Sequence, residues 1–450
     1  MSLKTLDVSN LLDQGKISGF QKLVIFLCGA VLFLDGFDAQ AIGYVAPALL
    51  EAQIVTRAQL GPVFSASLIG LMVGAVLLAP LADRVGRRPI LIASTIVFGA
   101  FSLATAWATE LNELLCLRFL TGIGLGGCMP NAVALISEYS PARQRGFLVS
   151  AMFAGFTLGS MVGGVVAAQA VPTYGWQVVF VIGGVLPLLL VPILCFLMPE
   201  SLRYLVSRRK RPERVSGIIH QMHPELGVDA DTRFIVEEEA AAKSSVWQLL
   251  TRERARRTTL LWVIFFMSLL NIYLLVNWLP TIIKASGESL RTAIFIGTAL
   301  QLGGFIGAFP LGHLLDRKGA GLTLGASYLL GACAVVLIGI FSSTSMLLTA
   351  FAVFVAGFAI IGGQGVANAA ASMAYPTELR STGVGWALGV GRIGSIVGPL
   401  LGGMLQSMGV VPRVIFFLCA IPAVIAALAA IALGSYSVRK RIPLSSAERA

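Results

Sequence analysis

Long apolar segments follow one another along almost the whole chain. A helix needs about 20 predominantly apolar residues to cross the hydrocarbon core of a bilayer, and twelve segments approach or exceed that length. They run over residues 21–50, 60–82, 89–108, 112–137, 147–170, 177–198, 259–282, 292–314, 321–341, 346–373, 382–406 and 412–435. Because these segments are long and rich in glycine, they predict helices and not the weakly alternating strands of a membrane barrel.

The composition excludes a water-soluble core. Hydrophobic residues make up 56% of the 450 residues and charged residues 12%, whereas a soluble globular domain carries about 25% charged residues. The bilayer must therefore be the solvent, and we expect an all-α integral membrane protein. The net charge of +11 lies in short runs between apolar segments. No basic domain with interleaved aromatics exists, so no nucleic-acid partner is expected.

Cysteine and histidine usage argues against a metal site or an enzyme. The six cysteines all lie inside apolar segments and form no C-x-x-C pair, so they predict small packing residues and neither disulfides nor metal ligands. An integral membrane enzyme would need clustered histidines or a nucleophile–base pair, and the chain has three histidines. We expect no cofactor, no metal and no enzyme activity.

Positive charge is unevenly distributed between the two sides of the predicted bundle. The outer loops hold Arg57, Lys284, Arg291 and Arg413, while the polar stretch between the sixth and seventh segments is far richer in Lys and Arg. Cytoplasmic loops carry such an excess, so both termini are predicted to be cytoplasmic; the polar N-terminus lacks a signal-peptide pattern. The expected organisation is a tail (1–20), a six-helix half (21–198), a cytoplasmic linker with room for short surface helices (199–258), a second half (259–435) and a tail (436–450).

The two halves contain an internal repeat. The sequence ADRVG at 82–86 is echoed by LDRKG at 315–319, a shift of 233 residues. Likewise GSMVG at 159–163 is echoed by GSIVG at 394–398, a shift of 235 residues. An even number of helices in each half gives both halves the same orientation. Parallel six-helix repeats suit a transporter that moves one half against the other around a central site.

The loop between the second and third segments carries a charged motif, Asp83-Arg84-Val85-Gly86-Arg87-Arg88. It resembles the signature loop of the major facilitator superfamily, where G-x-x-x-D-R-x-G-R-R gates the cytoplasmic face. Ala79 replaces the first glycine, and the second copy lacks the arginine pair after Gly319. Arg118-Phe119-Leu120-Thr121-Gly122 and Pro199-Glu200-Ser201-Leu202-Arg203 also resemble elements of that family. The resemblance implies gating residues at Asp83, Arg84, Gly86, Arg87, Arg88, Asp316, Arg317, Glu138, Arg143 and Arg380.

Two acidic residues, Asp35 and Asp38, lie well inside the first apolar segment. Asp35 is about 14 residues into its span and therefore near the midplane, with Asp38 three residues further on the same face. A carboxylate at that depth costs at least about 2.5 kcal/mol, and two together cannot both stay ionised cheaply, so one should take up a proton readily. The pair predicts a proton-coupling site. The alternative for either residue is a structural carboxylate paired with a buried arginine.

The string Asp35-Gly36-Phe37-Asp38 narrows the family resemblance. It is similar to the first-helix signature of the aromatic acid:proton symporters, which carry benzoate, hydroxybenzoates, protocatechuate and relatives. The resemblance implies a bacterial inner-membrane protein, surrounded by membrane lipids and functional as a monomer. It implies proton-coupled uptake of small aromatic carboxylates for catabolism.

Arginine residues inside spans could hold the carboxylate of such a substrate. A guanidinium stays charged when buried and binds a carboxylate through two parallel hydrogen bonds. Arg392 lies near the middle of the eleventh segment and Arg118 towards the outer end of the fourth. The alternatives are a permanent pair with Asp35 or Asp38 for Arg392, and a structural link in the fourth helix for Arg118.

Aromatic and amide side chains at membrane depth could contact the ring and its hydroxyl groups. The aromatic candidates are Phe37, Tyr44, Phe153, Phe156, Tyr273, Trp278 and Trp386, and the amide candidates are Asn271, Asn277, Gln301 and Gln364. Two other functions stay open at this point. One is a carrier of the same superfamily for another organic anion or a sugar, although the glutamine pair and tail motif of sugar porters are missing. The other is a membrane chemoreceptor, although neither linker nor tail holds a signalling domain.

Overall fold

The computed structural model describes residues 5–7, 17–207, 212–222, 233–235, 246–251 and 254–439. Most of them are helical. The helices of the first half are α1 (Gly19–Glu51), α2 (Arg57–Val85), α3 (Arg87–Thr105), α4 (Leu111–Tyr139), α5 (Ala142–Tyr174) and α6 (Gln177–Leu197). Two short helices follow, α7 (Leu202–Ser207) and α8 (Pro212–Met222). The helices of the second half are α9 (Ala255–Ala285), α10 (Leu290–Lys318), α11 (Ala320–Phe341), α12 (Met346–Ala374), α13 (Thr377–Ser407) and α14 (Pro412–Arg439).

Twelve of these helices are long and apolar enough to cross a membrane. They are α1 to α6 and α9 to α14, so the prediction of twelve spanning helices is confirmed. Helices suit the bilayer because each satisfies its own backbone hydrogen bonds where no water is present. The short helices α7 and α8 lie within residues 199–258, the predicted linker. It also contributes β2 (Arg233–Ile235), which pairs in parallel with β1 (Thr5–Asp7), a small addition to the all-α prediction.

The chain forms two compact units, described here separately. Unit 1 consists of residues 1–41 and 66–240, and unit 2 of residues 42–65 and 241–450. Helices α1 and α2 therefore each contribute to both units. The core of unit 1 contains buried apolar side chains such as Leu27, Phe98 and Leu135, and that of unit 2 contains Phe265 and Tyr328 among others.

The sequence repeat is also present in the bounds of the helices. Helix α2 and helix α10 both have 29 residues, and their first residues are 233 positions apart. Helices α4 and α12 also have 29 residues each and start 235 positions apart. The turn that follows α2 and the turn that follows α10 each use a glycine with positive φ, 116° at Gly86 and 77° at Gly319. An L-residue with a side chain adopts that conformation only with strain.

Glycines bring pairs of helices into direct backbone contact inside each unit. A methyl group on Gly159 of α5 would overlap the carbonyl oxygen of Phe33 in α1. The repeated pair in unit 2 is Gly394 of α13 and the carbonyl oxygen of Phe266 in α9, where a methyl group would overlap in the same way. Apolar lipid provides no hydrophobic drive for helices to associate, so close backbone packing between small residues takes that role. The repeat therefore preserves contacts as well as motifs.

We expect Gly159→Ala to destabilise the protein, whereas Gly155→Ala in the same helix should be neutral or stabilising. Both changes improve helix propensity by about 1 kcal/mol. A methyl group on Gly155 would meet only an ordinary contact of 3.5 Å with the carbonyl oxygen of Gly29, while the methyl group on Gly159 forces two helices apart at an overpacking cost of about 1–3 kcal/mol. Thermal unfolding of the two purified variants in detergent measures the difference. Equal melting temperatures would contradict the close-packing argument.

Candidate functional site

A fully buried ion pair links α4 to α1 inside unit 1. Arg118 Nη1 lies 3.3 Å from Asp38 Oδ2, and both side chains are 1% exposed. The Ser102 hydroxyl, from α3, donates to the other carboxylate oxygen of Asp38. Both oxygens of this carboxylate are therefore held by donors from neighbouring helices.

The guanidinium of Arg118 is fixed by more than its carboxylate partner. Its Nη2 donates to Thr105 Oγ1 at 2.8 Å and to Thr121 Oγ1 at 3.0 Å. Its carbon Cζ lies 4.6 Å from the ring centroid of Phe180 in α6, within the range of a cation–π interaction. Arg118 thus joins α1, α3, α4 and α6. This geometry agrees with the alternative given above for Arg118, a structural link in the fourth helix. The link also reaches three other helices.

Asp35, one turn earlier in α1, has a different environment. Its side chain is 1% exposed and interacts electrostatically with the Cys128 thiol of α4. The two acids of the first helix therefore share its buried side, as the sequence spacing predicted. Asp38 has Arg118 as its ion-pair partner, an assignment that the sequence alone could not make.

The charged loop after α2 is held by a carboxylate from beyond α6. One carboxylate oxygen of Glu200 accepts hydrogen bonds from the backbone N–H groups of Arg87, at 2.8 Å, and Arg88, at 3.1 Å. These N–H groups are at the start of α3, where a helix has unsatisfied donors and a partial positive charge. The same oxygen accepts from the N–H of Ser201 at 2.9 Å. A side chain on Gly86 would meet the Glu200 carboxylate, so glycine is needed for space as well as for its positive φ.

Side-chain contacts surround this capped turn. The guanidinium of Arg87 pairs with Glu138 at the end of α4 and lies 3.9 Å from Asp83 Oδ1. The guanidinium of Arg88 donates to the carbonyl oxygen of Cys195. The Tyr204 hydroxyl donates to the carbonyl oxygen of Arg84 at 3.2 Å. Asp83 itself is 72% exposed, so most of its carboxylate is available to another partner.

The other predicted gating residues lie on exposed surfaces. Asp316 and Arg317 are exposed at the end of α10, and Arg380 is exposed near the start of α13, all in unit 2. Arg143 is exposed near the start of α5 in unit 1. The second copy of the loop motif thus presents its charges at a helix end, as the first copy does.

In unit 2, Arg392 lies in the middle of α13 with its side chain partly exposed. Its Nη1 donates to the Tyr273 hydroxyl of α9 at 3.3 Å. Arg392 differs from Arg118 in two ways. It retains exposed surface, and it donates to a neutral hydroxyl group instead of a carboxylate. Its donors could therefore take a carboxylate.

A chain of hydroxyl and amide groups also joins three helices of unit 2. The Tyr328 hydroxyl of α11 donates to Ser268 Oγ at 3.1 Å, and Ser268 of α9 donates to Gln364 Oε1 of α12 at 2.7 Å. The amide nitrogen of Gln364 donates to Asn368 Oδ1 at 3.4 Å. Gln364 is partly exposed. This chain orients a polar amide at membrane depth.

Most of the other predicted contact residues are held in packing. Phe37 is 2% exposed and fills the space beside Gly163 and Gly183. In unit 2, Trp278 is fully buried, with its indole nitrogen donating to the carbonyl oxygen of Pro399 at 2.9 Å. Of the other candidates, Asn271 donates to the carbonyl oxygen of Cys419 at 3.0 Å and Tyr44 is 2% exposed, whereas Trp386 is 46% exposed.

Several residues at these sites were not singled out for their roles from the sequence. Ser102, Thr105 and Thr121 complete the network of Arg118, and Glu200 caps α3. Ser102 and Thr105 carry no sequence signal for their partners, because those partners are on other helices. Thr121 is different, since it lies three residues after Arg118 in α4. Glu200 stands directly after the sixth spanning helix, in a stretch that resembles a family element. No pattern in the sequence indicated that its carboxylate caps the start of α3.

The chain belongs to the major facilitator superfamily, the transporter family whose model matches residues 28–397 and 261–449. It is 42% identical over 407 residues to the 4-hydroxybenzoate transporter PcaK of Pseudomonas putida, a match that covers 90% of this chain and 91% of the relative. It is 40% identical over 435 residues to a gallate transporter of Pseudomonas putida, covering 96% of both chains.

The fold is likewise similar to that of solved members of the family. A bacterial homologue of the human lysosomal transporter Spinster superposes with a TM-score of 0.72 at 17% identity, covering 96% of this chain and all of that chain. The predicted class, a twelve-helix carrier of the major facilitator type, is confirmed.

We expect Arg118→Gln to destabilise the protein strongly, by about 3–5 kcal/mol, because it leaves the Asp38 carboxylate buried without its cation. Adding Asp38→Asn to the same chain should restore much of the loss, since the buried charge is then removed as well. Thermal unfolding of both purified variants measures the effect. Arg57→Gln, which removes an exposed guanidinium at the start of α2, is the matched control and should change the melting temperature little. A double variant no more stable than Arg118→Gln would contradict the ion-pair argument.

Proposed function

We propose that this chain carries small aromatic carboxylates, of the hydroxybenzoate and gallate type, into the cell together with protons. The observation that carries the proposal is the partly exposed guanidinium of Arg392 in the middle of a spanning helix. Charged groups at that depth are costly and are associated with substrate or ion pathways. The two relatives transport 4-hydroxybenzoate and gallate by their names, and both compounds are benzoates with ring hydroxyl groups.

In this proposal, Arg392 binds the carboxylate group of the substrate. A guanidinium presents parallel N–H donors that match the two carboxylate oxygens, and the Tyr273 hydroxyl holds it in place at 3.3 Å. The amide of Gln364 is proposed to contact a ring hydroxyl, because its partners in α9 and α12 fix its orientation. Trp386 is kept as a proposed ring contact, since its indole is 46% exposed.

The buried candidates are proposed to support the site and not to touch the substrate. Arg118 is 1% exposed and is enclosed by Asp38, two threonines and a phenylalanine ring, so a second carboxylate has no access to its guanidinium. The other buried candidates are equally inaccessible. These are Phe37, Tyr44, Asn271 and Trp278.

Proton coupling is proposed for the pair of acids in α1, Asp35 and Asp38. Entry of an anion into a cell that is negative inside is opposed by about 2.3 kcal/mol per charge per 100 mV, and one accompanying proton cancels that opposition. Asp35 and Asp38 are the acids well inside a span, and Asp38 has its charge balanced by Arg118 at 3.3 Å. Protonation of Asp38 would remove the negative charge that faces Arg118, so Asp35 is the first of the two to be tested.

The loop motifs are proposed to gate the cytoplasmic side, in a bacterial inner membrane with both termini in the cytoplasm. The exposed carboxylate of Asp83 would contact a partner in one state of the transport cycle and release it in another. The rigid turn behind it, capped by Glu200 and anchored by Arg87 to Glu138, would keep that carboxylate in position. The other proposed gating residues are Arg84, Gly86, Arg88, Arg143, Asp316, Arg317 and Arg380. We propose that a monomer is sufficient for transport.

We expect Arg392→Lys to lose most uptake of 4-hydroxybenzoate at low substrate concentration, by about 10- to 100-fold, because an ammonium cannot reproduce a two-point grip on a carboxylate. For the wild type, 4-hydroxybenzamide should compete much more weakly than the acid in an uptake assay. Arg413→Lys is a matched control in unit 2, because Arg413 lies over its own neighbour Phe417 at 5.6 Å, and it should transport normally. An amide that competes as well as the acid would exclude Arg392 as a carboxylate anchor.

We expect Asp35→Asn to abolish accumulation of substrate while retaining exchange of labelled for unlabelled substrate, because exchange does not require release of a proton. An uncoupler should abolish accumulation by the wild type in the same assay. The control is Glu113→Gln, which removes an exposed carboxylate in the first turn of α4 and should leave accumulation intact.

The opposite result for Asp35→Asn is equally informative. If this variant still concentrates substrate in a way that depends on the proton gradient, Asp35 is not the coupling group, and Asp38 is the next candidate. The same result for the double variant, with asparagine at both positions, would remove the pair and move attention to Glu138 or His313. A panel of benzoate, 4-hydroxybenzoate, protocatechuate, vanillate, gallate and a sugar distinguishes an aromatic acid carrier from other carriers of the superfamily. Absence of uptake together with a chemotactic response would favour the chemoreceptor.

A further inference from the structure

An apolar groove of about 540 Å³ lies on unit 1 between α1, α5 and α6. Its floor consists of the small residues Gly29, Ala30 and Gly155, and its rim includes Phe26, Leu189 and Ile193, which are 70%, 63% and 45% exposed. None of the ten described residues that line the groove has a polar side chain. All of them belong to spanning helices, so the groove lies at the depth of the hydrocarbon of the membrane.

The dimensions of the groove match one leaflet of a bilayer. Its lining residues in α1 extend from Phe26 to Leu34, and those in α6 from Leu186 to Ile193. Eight residues of helix span about 12 Å, and one leaflet contributes about half of a hydrocarbon core of about 30 Å. The groove therefore covers most of the depth of a single leaflet, on the side where α1 begins and α6 ends.

A cation lies at that end of the groove. Lys22 is exposed and precedes Phe26 by four residues, so both side chains lie on the same face of α1. Along the axis of α1, the Cα atom of Lys22 is about 6 Å closer to the start of the helix than the Cα atom of Phe26. A lysine in this position extends its ammonium to the headgroup region, where it attracts anionic phosphate.

We propose that the groove binds one acyl chain of an anionic phospholipid, with Lys22 contacting the headgroup phosphate. The transported carboxylate does not suit this groove, because it would be buried there without a polar partner. An acyl chain is apolar along its whole length, and its headgroup adds the charge that Lys22 complements. This site is independent of which substrate the protein carries.

Native mass spectrometry of the purified full chain, titrated with phosphatidylglycerol or phosphatidylcholine, tests the proposal. A side chain added at Gly29 enters open space, so Gly29→Phe should fill the groove without a clash. We expect it to weaken phosphatidylglycerol binding by at least about tenfold, since displacing two methylene groups suffices for that loss. Leu428→Phe, at a 60% exposed position of unit 2, is the matched control and should bind lipid as the wild type does.

The headgroup contact is tested separately by Lys22→Gln. This variant should reduce the preference for phosphatidylglycerol over phosphatidylcholine by about fivefold, the effect of one basic residue near an anionic surface, while binding of the acyl chain persists. Gly29→Leu replaces Gly29→Phe if the larger side chain prevents folding, as judged by size-exclusion chromatography. Phosphatidylglycerol binding within twofold of the wild type in the folded groove variant would overturn the proposal. A protein dimer that the groove variant abolishes would also overturn it, in favour of a second copy of the chain.

Discussion

Direct backbone contact between helices at glycine is the constraint on which the structure of each unit depends. In a bilayer the apolar side chains gain nothing by leaving lipid, so helices associate through close packing and polar contacts. The carbonyl oxygens of Phe33 and Phe266 occupy the space that side chains would need at Gly159 and Gly394. These contacts recur in both halves of the chain with the offset of the sequence repeat. They fix the helices firmly enough to hold charged groups between them.

The buried network of Arg118 depends on that rigidity. Its guanidinium meets Asp38, Thr105, Thr121 and the Phe180 ring, which come from four different helices. A buried ion pair is favourable only when its geometry and remaining hydrogen bonds are good, and close helix packing brings Asp38, Thr105 and Thr121 within hydrogen-bonding distance of this guanidinium. By contrast, Arg392 keeps exposed surface and a neutral partner, which suits a group that must bind and release an anion.

The turn between α2 and α3 applies the same principle at the helix ends. Positive φ at Gly86 reverses the chain in one residue, and the Glu200 carboxylate satisfies N–H groups that a helix start leaves open. The charged residues of the motif therefore differ in their surroundings. Arg87 forms an ion pair with Glu138 of α4, while the Asp83 carboxylate is 72% exposed.

The sequence by itself determined the twelve spanning helices, the repeat, the family and the depth of Asp35, Asp38 and Arg392. All of these follow from local properties, namely the length of apolar segments, the spacing of charges and the order of motifs. The tertiary structure decided which partner each charged group has: Arg118 for Asp38, Tyr273 for Arg392 and Glu200 for the start of α3. Those partners lie 80, 119 and 113 residues away along the chain. The periodicity of one helix carries no information about which neighbour it packs against, so only the packing of the helices could assign them.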